Sequence, residues 1–531
     1  MAFSNLLELV GDKGLFHALL LVTILLPSCL LPWHLLLENF SAAIPSHRCW
    51  TPLLDNSSMT PQNLSLKALL TVSIPPGPHQ EPHQCLRFRH PQWQLLDLNA
   101  TATSWSEADT EPCVDGWVYN TTRFTSTIVS QWDLVCHHQY LKPLAQSIFM
   151  AGLLLGSIMW GVLSDRIGRR RVLVWGILLM AVTGSSTVLA WNLFVYCALR
   201  FLTAFLLAGI IMTSGNLTVE WVTTPRRTFF MTAISCSYST GQVALGGLAF
   251  ALRDWRTLQL AVSVPFFAFF LICWWLPESA RWLIIMGKAD KGLQELKKVA
   301  RINGREDAHK KLTMEVLMSS MREELDSAKT RQSLLDLFRL PVLRWRILGM
   351  ITIIFSITFS YYGLVLDLQS LGSDIFLLQV LFGAVDFLGR VTTPLLLRFL
   401  GRRMALASSS SLSGLAILVN ILVPQDLWIL RTVFAVLGKG AFGISLTCYY
   451  LYKTELFPTS LRMTADGVIN SASRLGGVMG PLIRMTRQAL PLLPPLSYGI
   501  VPIVSSFFLL VLPETQGLPL PDTVQNLERQ Q

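Results

Sequence analysis

Residues 161–171 read GVLSDRIGRRR, and this stretch decides the fold. A long apolar run precedes it and another follows, so Asp165, Arg166, Arg169, Arg170 and Arg171 form a short hydrophilic hinge between two membrane spans. Loops on the cytoplasmic side collect Lys and Arg, which puts this hinge inside the cell and sets the sidedness of the remaining spans. A weaker copy, LLLRFLGRRM, stands at 395–404, and the two hinge glycines, Gly168 and Gly401, are 233 positions apart.

Other motifs repeat at nearly the same offset. Glu220, followed by Pro225 and Arg226, is echoed 235 positions later by Glu455 with Pro458 and Arg462. PESARW at Pro277 is echoed 236 positions later by PETQG at Pro513, and Arg200 has its counterpart in Arg431. The chain reads as one half written twice, the way many carriers are built.

With 531 residues, 52% hydrophobic content and a mean hydropathy of +0.47, the chain is a polytopic membrane protein. Its net charge of +10 sits largely in loops where the positive-inside bias accounts for it, so no nucleic-acid partner is implied. The partner it does imply is the lipid bilayer. The N-terminus has no cleavable signal pattern, and 15–37 reads as a retained span.

The expected fold is an all-α membrane protein of twelve transmembrane helices in two pseudo-symmetric six-helix halves, with a large extracellular loop. Segment 1–37 holds the N-terminus and span 1, and 38–140 is the loop. Spans 2–6 occupy 141–276 (141–163, 172–191, 194–219, 229–252 and 258–276). A cytoplasmic linker with amphipathic helices fills 277–346. Spans 7–12 occupy 347–512 (347–368, 375–400, 404–423, 427–450, 465–485 and 493–512), and 513–531 is a cytoplasmic tail without a ligand for a PDZ groove. An even number of spans puts both termini in the cytoplasm.

Cys49, Cys85, Cys113 and Cys136 share the loop, which suggests two disulfides in an oxidising space, with three pairings open. Sequons at Asn56, Asn63, Asn99 and Asn120 make it a glycosylated segment, while a fifth, Asn39, lies too near the membrane. No Cys or His spacing suggests a metal, and no cofactor is expected.

Charges inside apolar runs carry the functional signal, since each costs roughly 2.5–3.5 kcal/mol at mid-membrane. Asp386 and Arg390 stand four apart in span 8, on one helical face, and can pair. Arg474 in span 11 and Lys439 in span 10 add cations, leaving a positive surplus that suits organic anions, whose carboxylate or sulfate an Arg can grip through two parallel bonds. Tyr238 and Gln242 in span 5, Phe149 in span 2, Tyr361 and Tyr362 in span 7 and Tyr450 in span 10 are candidates for an amphipathic wall that stacks on flat molecules.

GVLSDRIGRR resembles the signature of the major facilitator superfamily, and PESARWL, ELFPTSLR and PETQG resemble its organic-ion and sugar branch. The four-cysteine loop, with LENFSAAIPSHRCW and STIVSQWDLVC, is similar to that of the organic anion transporters among the amphiphilic solute carriers. This resemblance implies alternating access about a midplane site. It assigns a cationic pair to Arg390 and Arg474 and an aromatic cage to Tyr238, Tyr361 and Tyr362, with Phe149 and Gln242 nearby. It also implies that Asp165, Arg166 and Arg169 latch the cytoplasmic side, with Glu220 and Glu455 in the same gating role, and that Arg398 replaces Asp165 in the second copy. The family's organic cation carriers hold an acid where Arg474 stands. Departures from the pattern are Arg in place of the family's common Lys at 390, Tyr where the urate-carrying relative has Phe in the cage, and the missing terminal PDZ-binding sequence.

The expectation is a plasma-membrane, sodium-independent exchanger of amphipathic organic anions, such as steroid sulfates and urate, against an intracellular dicarboxylate or other counter-anion. The competing readings are an organic cation or zwitterion carrier and a non-transporting membrane glycoprotein. No catalytic residues are expected, because the intramembrane residues supply neither a nucleophile with its base nor a metal set, and no GxxxxGK[ST] stretch binds ATP.

Overall fold

A computed structural model describes residues 2–97, 109–329, 334–372, 374–518 and 524–529. The sequon at Asn99 lies outside them. The chain resolves into two compact units, one comprising Met1–Asn39, Pro143–Ala251 and Arg256–Gln531, the other Phe40–Lys142 with Leu252–Trp255.

Within the first unit the twelve spans run in two sets of six. Among the described residues nine helices are long and apolar enough to cross a membrane. One of them, Ile375–Leu422, is spans 8 and 9 joined at a kink where Gly401 takes φ 74°, ψ 170°. Thr224–Ala251 (span 5) and Thr459–Ile483 (span 11) complete the twelve. These two are less apolar because they carry Tyr238, Gln242 and Arg474, side chains suited to a polar interior.

Several helices begin earlier than apolar content alone indicated. Span 3 starts at Arg169, span 5 at Thr224 and span 11 at Thr459, with Pro225 and Pro458 at their starts. Proline is favourable in a first turn, where its missing N–H has no partner to lose, and charged first turns escape a hydropathy reading. Span 10 likewise continues to Leu456, and span 6 is broken into Trp255–Ser263 and Pro265–Cys273.

The duplication read from sequence is also a duplication of bonds. At the first hinge Gly168 adopts φ 114°. Glu278 accepts hydrogen bonds there from the backbone N–H of Arg169 (3.0 Å) and Arg170 (3.2 Å), capping the start of span 3. At the second hinge Glu514 accepts from Arg402 N (3.1 Å) and Arg403 N (3.2 Å) at the start of span 9. A carboxylate at a helix N-terminus satisfies orphan N–H groups and complements the macrodipole. Glycine is required beside it, because a Cβ on Gly168 would lie 2.6 Å from the Glu278 carboxylate and one on Gly401 3.0 Å from that of Glu514.

Between spans 6 and 7, helices run Ala280–Ile285, Ala289–Ile302, Glu306–Lys311, Met314–Lys329 and Leu334–Arg339. An additional helix, Ala2–Val10, buries Phe3, Leu6, Leu7 and Val10. Asn303 ties it to the linker, donating to the Val10 and Gly11 carbonyls and accepting from Phe16 N at 3.0 Å.

The second unit departs from all-α by two short antiparallel ribbons, His47–Cys49 with Trp117–Tyr119 and Leu86–Phe88 with Thr110–Pro112. Of the three pairings open in the sequence, Cys49–Cys113 and Cys85–Cys136 form. Arg48 holds Asp55 through two bonds (2.7 and 2.9 Å). Burial alone would raise the Asp55 carboxyl, but Arg48 and the Thr51 N–H hold it below its ordinary value. Asn63 and Asn120 are exposed and Asn56 is half-buried. Asn39, in the first unit, is buried and donates to Val365 O at 2.6 Å.

Close helix approach depends on small residues. A Cβ on Gly156 of span 2 would stand 2.5 Å from the Phe205 carbonyl oxygen of span 4, whereas one on Gly247 would meet nothing within 4 Å. Gly156→Val is therefore expected to cost about 1–3 kcal/mol through overpacking. Thermal unfolding of detergent-solubilised protein should show a lowered midpoint for that variant and an unchanged one for Gly247→Ala.

Candidate functional site

The charged residues of spans 8 and 10 meet span 5 midway along the helices. Asp386 is 1% exposed. Its Oδ2 accepts from Ser239 Oγ (2.6 Å), Gln242 Nε2 (3.3 Å) and Arg390 Nε (2.9 Å), and its Oδ1 accepts from Lys439 Nζ (3.3 Å). The Arg390 bond follows from the i, i+4 spacing. The Lys439 bond depends on Gly443, one turn further along span 10, where a Cβ would come 2.7 Å from Asp386 Oδ1.

Lys439 is completely buried and also donates to the Tyr361 hydroxyl at 3.1 Å, with Nζ 4.6 Å from the ring centroid. A buried ammonium needs a counter-charge and polar partners, and Lys439 has one of each. The Arg390 guanidinium stands 5.6 Å from the Tyr238 ring centroid, and Tyr361 meets Tyr362 edge-on at 5.2 Å. Arg474 faces the Tyr362 hydroxyl from span 11. Its Nε is buried without a hydrogen-bond partner, and among the described residues no carboxylate lies within ion-pair distance of it. Three cations against one carboxylate leave the region positive.

The structure thus brings Asp386, Arg390, Lys439, Tyr238, Tyr361, Tyr362, Gln242 and Arg474 together. One of the expected wall residues, Phe149, packs against a different cation. Phe149 is buried with its ring 4.1 Å from the Arg200 guanidinium, which pairs with Glu38 at 3.4 Å. Tyr450 is 51% exposed and close enough to Tyr361 and Tyr362 to interact with both, and its ring also lies under Lys453, which pairs with Asp466. Ser239 was missed in the sequence, although it is three positions before Gln242 on the same helical face. The Glu38–Arg200 pair was missed too, since its members belong to different helices and no spacing rule links them.

The hinge residues bond within their own halves. Arg169 donates to Asp165 (2.7 Å) and Glu220 (3.2 Å), and Arg402 pairs with Glu455 at 3.3 Å. Arg166 is exposed and has no ion partner among the described residues. Asp165, Arg169 and Glu220 thus join three helices of one half. Bonds that do cross between the halves lie from the level of Asp386 toward the end that carries the inserted segment. They include Gln379 Nε2 to Gln242 O (3.2 Å), Ser147 Oγ to Val478 O (3.1 Å) and Gln146 Nε2 to Leu366 O (3.0 Å), with Arg484 donating to Gln146.

Two six-helix halves that meet around a charged, aromatic, mid-membrane cluster define a multi-pass membrane transporter. The model of the Major Facilitator Superfamily matches residues 140–481. Solute carrier family 22 member 11 of Homo sapiens is 66% identical over the whole of this chain and 96% of its own length. Solute carrier family 22 member 12 of Homo sapiens is 53% identical with the same coverage. A steroid transmembrane transporter of Homo sapiens is 45% identical over 99% of this chain and 96% of its own. The chain belongs to the major facilitator superfamily and, within it, to solute carrier family 22.

Two solved structures share the fold. The proton:xylose symporter XylE bound to 6-bromo-6-deoxy-D-glucose aligns with a TM-score of 0.60 at 15% identity, covering 96% of this chain and 98% of that one. The inward-open conformation of XylE from E. coli aligns with a TM-score of 0.58 at 17% identity, covering 74% and 90%.

Asp386→Asn removes the only carboxylate that faces Lys439 among the described residues, and breaking such a buried pair costs about 3–5 kcal/mol. A lowered yield of monodisperse protein and a lowered unfolding midpoint are expected. Adding Lys439→Met should recover part of both.

Proposed function

We propose that this protein is a sodium-independent exchanger of amphipathic organic anions, with steroid sulfates and urate as substrates and an intracellular dicarboxylate or other anion as the counter-substrate. It acts in the plasma membrane with both termini in the cytoplasm and the glycosylated insert outside. The observation that carries this reading is the commitment of Asp386 to two cations, which leaves Arg474 without an acid. The steroid transmembrane transporter among the relatives supports the substrate class.

Arg474 is the first grip for a carboxylate or sulfate, with the Tyr362 hydroxyl beside it. Arg390, 18% exposed at its side chain, is the second, and an arriving anion competes with Asp386 for it. Tyr238, Tyr361 and Tyr362 take the apolar body, and Lys439 and Asp386 hold the wall in place. Exchange follows from charge. An empty chamber with surplus cations is costly to carry through a low-dielectric passage, and a counter-anion removes that cost on the return stroke. The cross-half bonds toward the insert end close the extracellular side, so this is the inward-facing posture.

The test is uptake of labelled estrone sulfate into liposomes holding the purified protein, with and without internal dicarboxylate. Saturable uptake accelerated by the internal anion is expected, and its absence defeats the proposal. Arg474→Gln should weaken apparent affinity roughly 10- to 100-fold, the equivalent of a charge-assisted hydrogen bond of about 1.5–3 kcal/mol. Arg474→Asp should abolish uptake.

A further inference from the structure

The duplicated scaffold places an arginine at equivalent points of the two halves, buried in the first and half-buried in the second, and its surroundings differ. In the first half Arg200 is 1% exposed, with Glu38, just past the end of span 1, at 3.4 Å and the Phe149 ring at 4.1 Å. The counterpart of Arg200 is Arg431, near the start of span 10. The acid just past the end of span 7 is Asp367, and it pairs with Arg484 (3.5 Å) and Arg487 instead. Arg431 donates to the Ser370 carbonyl at 3.3 Å, its Nε is buried without a partner, and among the described residues no carboxylate lies within ion-pair distance.

Where the first half sets a carboxylate and an aromatic ring against its arginine, the second has a cavity of about 630 Å³, lined by Arg431 together with Asn420, Trp428, Phe434, Ile417 and Tyr498, and its one lining carboxylate, Asp367, is taken up by Arg484 and by Arg487, which also lines it. Asn420 is 6% exposed, and its side-chain carbonyl oxygen has no hydrogen-bond partner. The cavity reaches from Trp428 to Gly438, ten residues or about 15 Å along span 10. It is separate from the central cluster, but its floor residues Gly363 and Gly438 adjoin Tyr362 and Lys439 in the chain. Tyr498 packs on Gly363 and donates to Gly480 O on span 11, the helix that carries Arg474.

We propose that this cavity is a second binding site, open to the extracellular side, for a water-borne amphipathic organic monoanion. The acid group of the ligand takes the place at Arg431 that Glu38 takes at Arg200. The apolar body lies against Trp428, Phe434 and Ile417, and a hydroxyl or N–H of the ligand donates to Asn420. Because the floor of the cavity carries the wall of the central cluster, occupancy alters the rate of transport without competing for Arg474. Only the sidedness and this transport effect rest on the transporter reading above. The site itself does not.

The probe is 8-anilinonaphthalene-1-sulfonate, titrated by fluorescence against the full chain in phosphatidylcholine nanodiscs, with empty nanodiscs subtracted. Two classes of site are expected. Arg474→Gln removes one, and Arg431→Gln weakens the other roughly tenfold or more, as loss of a charge-assisted bond requires. Ala435→Phe, which fills the cavity floor, removes the second class without touching Arg431. In the uptake assay the probe should show a noncompetitive component that Arg431→Gln abolishes while saturable uptake persists. A single class of site lost only with Arg474, or a second class indifferent to both cavity variants, overturns the proposal. Loss of the second class in nanodiscs containing phosphatidylserine overturns it as well, since the cavity would then be a lipid headgroup seat. If wild-type protein shows no saturable uptake but keeps the Arg431-dependent class, the transport reading fails and this one stands.

Discussion

One carboxylate organises the interior. Asp386 accepts four hydrogen bonds, two from span 5 of the first half and two from cations of the second. A buried ammonium such as Lys439 cannot persist without an opposite charge, because its desolvation costs several kcal/mol. Satisfying Lys439 and Arg390 uses up the one acid at that level among the described residues, and Arg474 is left facing a tyrosine hydroxyl. The positive character of this cluster therefore follows from how few acids stand near it rather than from any single basic residue. The same carboxylate also joins the halves, so chamber charge and contact between halves are adjusted at one place.

Around that centre the chain repeats its scaffold but not its charges. Each half has a hinge glycine in the left-handed region, a glutamate capping the following helix, and an arginine that bonds a second glutamate from the span after. These bonds are local to a half and serve its rigidity, so duplication preserved them in both. Arginines of spans 4 and 10 are also at matching positions, yet one is buried and matched by Glu38 and the other is half-buried and borders a cavity. The hinge differs in the same way, with Asp165 bonded to Arg169 in one copy and Arg398 in the corresponding place of the other.

What the sequence made legible was whatever neighbouring residues determine. The hinge, the repeat offset and the Asp386–Arg390 pair each depend on spacing within one segment. Helix starts at Arg169, Thr224 and Thr459 were misplaced because charged and proline-containing first turns do not look apolar. The disulfide pairing stayed open because three connectivities satisfy the same spacings. Lys439 reaching Asp386, Phe149 lying under Arg200 and Asn303 holding the first helix all join segments far apart in the chain, and only the packed structure shows them.

The distribution of bond types bears on how such a molecule can move. The ion pairs of the spans named above each join residues of the same half, whereas the contacts between halves are hydrogen bonds with at least one neutral partner. Breaking a buried ion pair costs about 3–5 kcal/mol, while a hydrogen bond nets about 0.5–1.5, or about 1.5–3 where one partner is charged. When the halves part at the level of Asp386, the carboxylate gives up Ser239 and Gln242 but keeps Arg390 and Lys439, so no buried charge is stranded. Each half can then rotate as a body stapled by its own hinge glutamates, and the interface it leaves behind consists of bonds that water or a bound anion can replace.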